Sequence, residues 1–149
     1  MKDDIDKKFM MEAIKEAKRA YKKNEVPIGA VVVQNGEIVG RGHNQVECRN
    51  NVTAHAEIAA ISQASRKLNS WRLNDCSVYV TIEPCLMCFG AIKLSRISRL
   101  IYAASEPKFG FINRISELPG KPEVKSGVLD SKCRSLLGNF FKKLRRYVR

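Results

Sequence analysis

Two short segments carry the residues best suited to chemistry: Thr53-Ala54-His55-Ala56-Glu57 and Glu83-Pro84-Cys85-Leu86-Met87-Cys88. Each alone has an ordinary reading. A His opening a helix commonly serves as a cap or core residue, and Cys-x-x-Cys is often a redox pair or two small core side chains. Together they form a donor set of one imidazole and two thiols. Cys85 and Cys88 stand three residues apart on an expected first helical turn, so both sulfurs face one way. A helix N-terminus also favours the thiolate form. Nitrogen and sulfur donors suit Zn²⁺, and three protein ligands leave a coordination position for water where four would close the site. His43, Cys48, Cys76 and Cys133 are the spare donors, none of them adjacent to the pair, which favours the open site. Glu57 lies two residues past His55 and so about 200° around an ideal helix, and spacing alone does not aim it at the same ion. A solvated glutamate would be its usual fate. Yet Ala56, Ile58, Ala59 and Ala60 enclose it, and a carboxylate that takes and returns a proton beside metal-activated water explains that setting.

The elements that must position these residues follow from periodicity. Met10, Ala13, Ile14, Ala17 and Tyr21 recur at helical spacing, with Asn24 just beyond. Residues 28–33 form a β-branched run, Asn35-Gly36 signals a tight hairpin, and residues 37–39 return as a second strand. Thr53 is the expected cap of a helix running through His55 to Leu68. Residues 76–82 read as a strand, and a helix follows Pro84 to about Ser95. Residues 100–103 read as a buried strand, 105–123 as mostly loop, 124–128 as a short last strand, and 131–147 as a long basic helix. Helices alternating with buried strands imply a sheet covered on both faces, in one domain spanning residues 1–149.

Composition bounds the partners. The 149 residues include 27 Lys and Arg against 15 Asp and Glu, a net charge of +12. No apolar run approaches the ~20 residues of a membrane span. The charged first residues lack the apolar stretch of a secretory signal, and five cysteines without one point to a reducing, cytoplasmic setting. A charge this large favours a polyanionic partner. Seven basic residues and no acid lie beyond residue 130: Lys132, Arg134, Lys142, Lys143, Arg145, Arg146 and Arg149.

His-x-Glu followed by Pro-Cys-x-x-Cys resembles the signature of the zinc-dependent nucleobase deaminases. The chain further resembles the bacterial tRNA-specific adenosine deaminases of the cytidine/deoxycytidylate deaminase superfamily. The matching stretches are Glu25-Val26-Pro27-Ile28-Gly29-Ala30, residues 53–57, residues 83–88, and Asn139-Phe140-Phe141 before a basic end. The resemblance implies a three-layer α/β/α fold with a five-stranded mixed sheet. It implies one zinc ion per subunit on His55, Cys85 and Cys88, with Glu57 as proton shuttle and not a ligand. Water activated at the metal would attack C6 of adenine, Glu57 would protonate N1 and then the leaving amino group, and inosine would result. Asn44 matches a base-binding position, Val26, Pro27 and Ala56 match pocket-lining positions, and Pro84 and Glu106 belong with the substrate contacts. Lys108 falls on the loop that grips the substrate backbone, and Phe140 and Phe141 fall on the terminal helix. Such proteins are homodimers acting on the anticodon stem-loop of tRNA, at the first anticodon position.

Three departures stand out. Glu106 replaces a common Asp, Asn113-Arg114 replaces a small Gly-Ser pair, and Asn51-Val52 replaces Asp-Pro. All lie outside the donor set, and the first two touch the substrate loop. An extra methylene at position 106 would displace a bond to a ribose by about one bond length, where a ~1 Å error can cost two orders of magnitude. Two other readings stay open. One is a free-base or small-nucleoside deaminase for guanine or cytosine, which has no use for the basic helix. The other is a non-catalytic, zinc-stabilised RNA-binding module, which needs a fourth ligand and leaves Glu57 idle.

Overall fold

The computed structural model describes residues 1–115 and 119–147. Residues 116–118 of the expected loop, and Arg149 among the terminal charges, lie outside the described residues. Helix α1 (Lys2–Lys22) begins earlier than the apolar pattern from Met10 marks, because Asp6 and Phe9 are already buried against the sheet. Then come strands β1 (Gly29–Gln34) and β2 (Glu37–His43), a short helix α2 (Val46–Arg49), helix α3 (Ala56–Leu68) and strand β3 (Cys76–Ile82). Helix α4 (Leu86–Leu94), strands β4 (Arg99–Ala104) and β5 (Glu123–Lys125), and helix α5 (Asp130–Tyr147) complete the order. Asn35 and Gly36 take left-handed backbone, φ 50° and 77°, as the tight hairpin requires.

The five strands run β2-β1-β3-β4-β5 across one sheet. Strand β1 is antiparallel to both neighbours, while β3, β4 and β5 are parallel. One face packs α3 and α4 through Ala56, Ala60, Ala64, Phe89 and Ile92 against Val32, Val78, Val80 and Leu100. The other packs α1 and α5 through Phe9, Met10, Ala13, Ile14 and Cys133 against Val31, Val33, Tyr79 and Ile101. The result is the expected three-layer α/β/α arrangement on a five-stranded mixed sheet.

Three local expectations change. The last strand spans Glu123–Lys125 rather than residues 124–128, because Gly127 turns at φ 84° and donates its N–H to the Ala103 carbonyl. Helix α2 was not signalled; its four residues are too few for a period to show. Thr53 does not cap α3. Its N–H and hydroxyl both donate to the Asn51 side-chain oxygen, at 2.9 and 2.7 Å, and His55 takes the cap position with no side-chain bond to the helix.

Candidate active site

The site forms where the N-terminus of α3 meets that of α4. His55 and Cys85 each occupy a cap position in extended backbone (ψ 154° and 172°), and Cys88 lies on the first turn of α4. The reason this junction can form is small residues. Gly40 and Gly42 lie directly under α3, where a Cβ at Gly42 would run into the Ala56 carbonyl. That contact lets the start of α3 settle onto β2 and reach β3 and α4.

His55 Nδ1 is 3.4 Å from Cys88 Sγ and 3.7 Å from Cys85 Sγ, and the three ligand atoms lie within 4.8 Å of one another. These separations fit one tetrahedral ion taking nitrogen and sulfur, since donors each ~2.0–2.3 Å from zinc lie under 4 Å apart. No further His, Cys, Asp or Glu joins the cluster among the described residues. The spare donors are elsewhere: Cys48 is exposed, and Cys76 and Cys133 are buried away from it. The two thiols share their protons unevenly. The Cys88 thiol bond, helped by His55, pulls Cys85 down to about 4, while the same bond and burial hold the proton on Cys88. The bond with Cys85 likewise raises His55 against the effect of burial.

Three buried glutamates surround this cluster, and their partners separate them. Glu25 accepts the N–H groups of Glu47 (2.9 Å) and Cys48 (2.8 Å), closing the start of α2. Burial works against its charge, but these bonds hold it below the usual carboxylate range. Glu83 accepts the N–H of Glu106 on one oxygen and of Ile112 on the other, both at 3.0 Å. Glu57 has no comparable pair of donors. It is 3% exposed, and burial pushes its carboxyl upward, with its own backbone N–H and His55 only partly opposing. Glu57 is therefore the one of the three whose carboxyl is not committed to a pair of backbone donors, and its burial favours the protonated form. The 200° separation expected on a helix does not apply, because His55 precedes the helix and only Glu57 is inside it.

Above the cluster lies a cleft of about 490 Å³ whose lining includes Val26, Asn44, Ala56, Glu57, Glu106 and Phe109, with His55 and Cys85 also on its wall. Asn44 is buried, accepting the Val46 N–H and donating to the Val26 carbonyl at 3.4 Å each, long bonds that a ligand could replace. Pro27 and Pro84 are buried beside the cleft without lining it. The Pro84 carbonyl accepts the Phe111 N–H at 3.1 Å. Lys108 is exposed on the turn after β4. Phe141 lines a neighbouring hollow of about 340 Å³ that shares Val26, Ile28, Ile82 and Glu106 with the cleft, and there it meets Arg134 and Leu137 of α5. Phe140 is core, with its ring 5.9 Å from Tyr21. Glu25, Glu83 and Phe109 also belong to the site wall, although spacing did not single them out. Glu25 and Glu83 lie in the stretches that carry the family resemblance but are given no role there, and Phe109 is only an aromatic in a loop.

Comparison with known proteins agrees with this geometry. The MafB19-like deaminase family model matches residues 4–145. A tRNA-specific adenosine deaminase of Bacillus subtilis (strain 168) is 46% identical over 147 residues, covering 95% of this chain and 91% of that protein. A solved structure from work on A-to-I editing by tRNA:A34 deaminases at the wobble position superposes with a TM-score of 0.80 at 42% identity. It covers 87% of this chain and 98% of that one. A guanine deaminase from Bacillus subtilis is similar at 36% identity and a TM-score of 0.64, over 75% of this chain and 76% of that one. With nearly its whole length so matched, this chain belongs to the tRNA-specific adenosine deaminase family.

Proposed function

We propose that the protein deaminates adenosine to inosine at the first anticodon position of tRNA. The observation that carries this reading is the three-donor cluster with Glu57 buried beside it on the wall of a base-sized cleft. His55, Cys85 and Cys88 would hold zinc, which when bound supplies a water acidified to near-neutral pKa. Glu57 would take a proton from the water that adds to C6 and deliver it to N1. A second proton passes through Glu57 to the C6 amino group, the C6–N bond breaks, and ammonia leaves with C6 as a carbonyl. Asn44 holds the base edge while Val26, Ala56 and Glu106 form the walls. The target base must leave its stack for C6 to be reached, which suits a single-stranded loop.

Helix α5 supports RNA as the substrate. Its Arg134 and Phe141 adjoin the cleft, and its outer positions carry Lys142, Lys143, Arg145 and Arg146. A tRNA substrate sets the reaction in the cytoplasm; separately, no described helix is long and apolar enough to cross a membrane. Two copies pair through the outer face of α4, where Leu86, Met87 and Leu94 are left exposed among the described residues. Guanine is the second reading, favoured by the similarity to a guanine deaminase and by a cleft that holds a free base. It leaves the basic helix unused.

The test incubates zinc-loaded protein with anticodon stem-loop RNA bearing A, and separately with adenosine, cytosine and guanine. Inosine is expected in the RNA alone; ammonia from guanine and none from RNA would overturn the reading. Glu57→Gln is expected to keep stoichiometric zinc and lose about 10²–10⁴ in rate. Zinc loss in that variant would make Glu57 a ligand instead.

A further inference from the structure

The turn following β4 is braced from two sides by charged groups that the mechanism does not use. From inside, Glu83 accepts the Glu106 and Ile112 N–H groups. From outside, the Arg114 guanidinium donates to the carbonyls of Gly110 (2.6 Å), Pro107 (3.3 Å) and Lys108. The Glu106 carboxylate turns back to accept the Lys108 N–H at 2.9 Å. Gly110 lies so close to Glu83 that any Cβ there would fall on its carboxylate. Backbone groups in an exposed turn are usually left to water, and here charged side chains hold six of them. What the turn presents is Phe109, 62% exposed and yet on the wall of the cleft. The Lys108 ammonium sits 5.3 Å from its ring centre. Burial does not explain an aromatic so exposed, and a fixed backbone beneath it is costly to build without a use.

We propose that Glu83 and Arg114 hold residues 106–112 as a fixed platform that presents Phe109 for stacking by the nucleobase next to the one being deaminated. This rests on the RNA reading above. Every base offers a π-face, and stacking on an aromatic side chain contributes about 1–3 kcal/mol per base. A platform already ordered spares the substrate the entropy of ordering it. Lys108, beside the ring, stands where the phosphate joining the two nucleotides would pass. Arg114 takes the place of a small residue in the pattern the chain resembles, so the outer brace is a feature of this sequence. Arg114 is a positioning residue, acting through Phe109.

The test is a double-mutant cycle on KM and kcat with anticodon stem-loop RNA. Phe109→Ala is expected to raise KM about 5- to 150-fold, the loss falling on KM rather than kcat. Arg114→Met is expected to raise KM about fivefold. The double variant should be no worse than Phe109→Ala alone, because the brace then has nothing to present. Additive effects, or an unchanged KM in Phe109→Ala, overturn the platform while leaving the deaminase reading intact. Wild-type protein inactive on RNA would remove that reading itself. The brace is then tested separately by hydrogen exchange, where unchanged protection of the Lys108 and Gly110 amides in Arg114→Met overturns it.

Discussion

Asp6, Glu25, Glu57 and Glu83 are all carboxylates taken out of water, and their partners decide what each does. Asp6 accepts the Tyr79 hydroxyl (2.7 Å) and the Lys125 ammonium (2.8 Å), with Arg99 3.3 Å away, tying α1 to β3, β4 and β5. Burial opposes its charge, but those partners bring its pKa below the ordinary 3.8. A carboxylate whose folded pKa is depressed contributes stability that is present above the unfolded value and lost as pH falls through the folded one. Melting temperature is therefore expected to fall as pH drops below about 4, and Asp6→Asn should flatten that part of the profile. At pH 7 the same variant should lose about 1–3 kcal/mol, because the charge-assisted bonds from Lys125 and Arg99 are weakened while Asp3 and Glu123 still pair with them. A melting series over pH 3–7 checks both, and an unchanged slope would count against the role. At this scale the sequence was partly legible. His55, Cys85, Cys88 and Glu57 stood out by type and spacing. Glu25 and Glu83 did not, because what makes them matter is backbone N–H groups some 22 to 29 residues away.

Strand β2 shows how an element aims a site residue. Its pairing with β1 shifts register between Val32 and Val33, so Val39 is an extra residue on β2. Ile38 packs on the α1 side, whereas Gly40 and Gly42 lie under α3. The bulge thus resets the alternation and brings Asn44, two residues on from Gly42, to the α3 side and into the cleft. Alternation read from the sequence would have placed Ile38, Gly40 and Asn44 on one face. Gly42 is the point of this contact next to the start of α3, where a Cβ would run into the Ala56 carbonyl. Gly42→Ala is expected to cost about 1–3 kcal/mol by overpacking. It should also lower kcat by up to about two orders of magnitude, since a shift of α3 near 1 Å misaims His55 and Glu57 together. Unfolding in urea and single-turnover rates measure the two effects; wild-type values for both would mean that α3 yields freely. Element type and order were legible from hydrophobic period and turn residues. The cap of α3 was not, because Asn51 competes for Thr53 and wins.

For the whole molecule, the outer surface of α4 is the clearest sign of a partner. Leu86, Met87 and Leu94 are exposed, Leu94 at 72%, while Cys88, Phe89 and Ile92 are buried on the opposite side. A helix apolar all round is expected to be covered on both sides. Sedimentation at micromolar concentration should therefore find a dimer, and Leu94→Asp should shift it towards monomer. A monomeric wild type would discard this face as the interface. The charge of +12 also acquires a place: α5 buries Cys133 and Phe140 on α1 and the sheet and carries its basic residues past the hollow beside the cleft. By itself the sequence determined the three donors, the buried acid, the alternation of helices and strands, and the excess of positive charge. Those are matters of residue type and short spacing, which local chemistry and period express directly. Only the tertiary structure decided that two helix N-termini meet, which glutamate is left without a pair of backbone donors, and which side of the sheet Asn44 reaches just after β2. It also decided that Arg114 and Glu83 grip one turn. Each depends on contacts between residues far apart in the chain, and these become specific only once packing fixes distance and register.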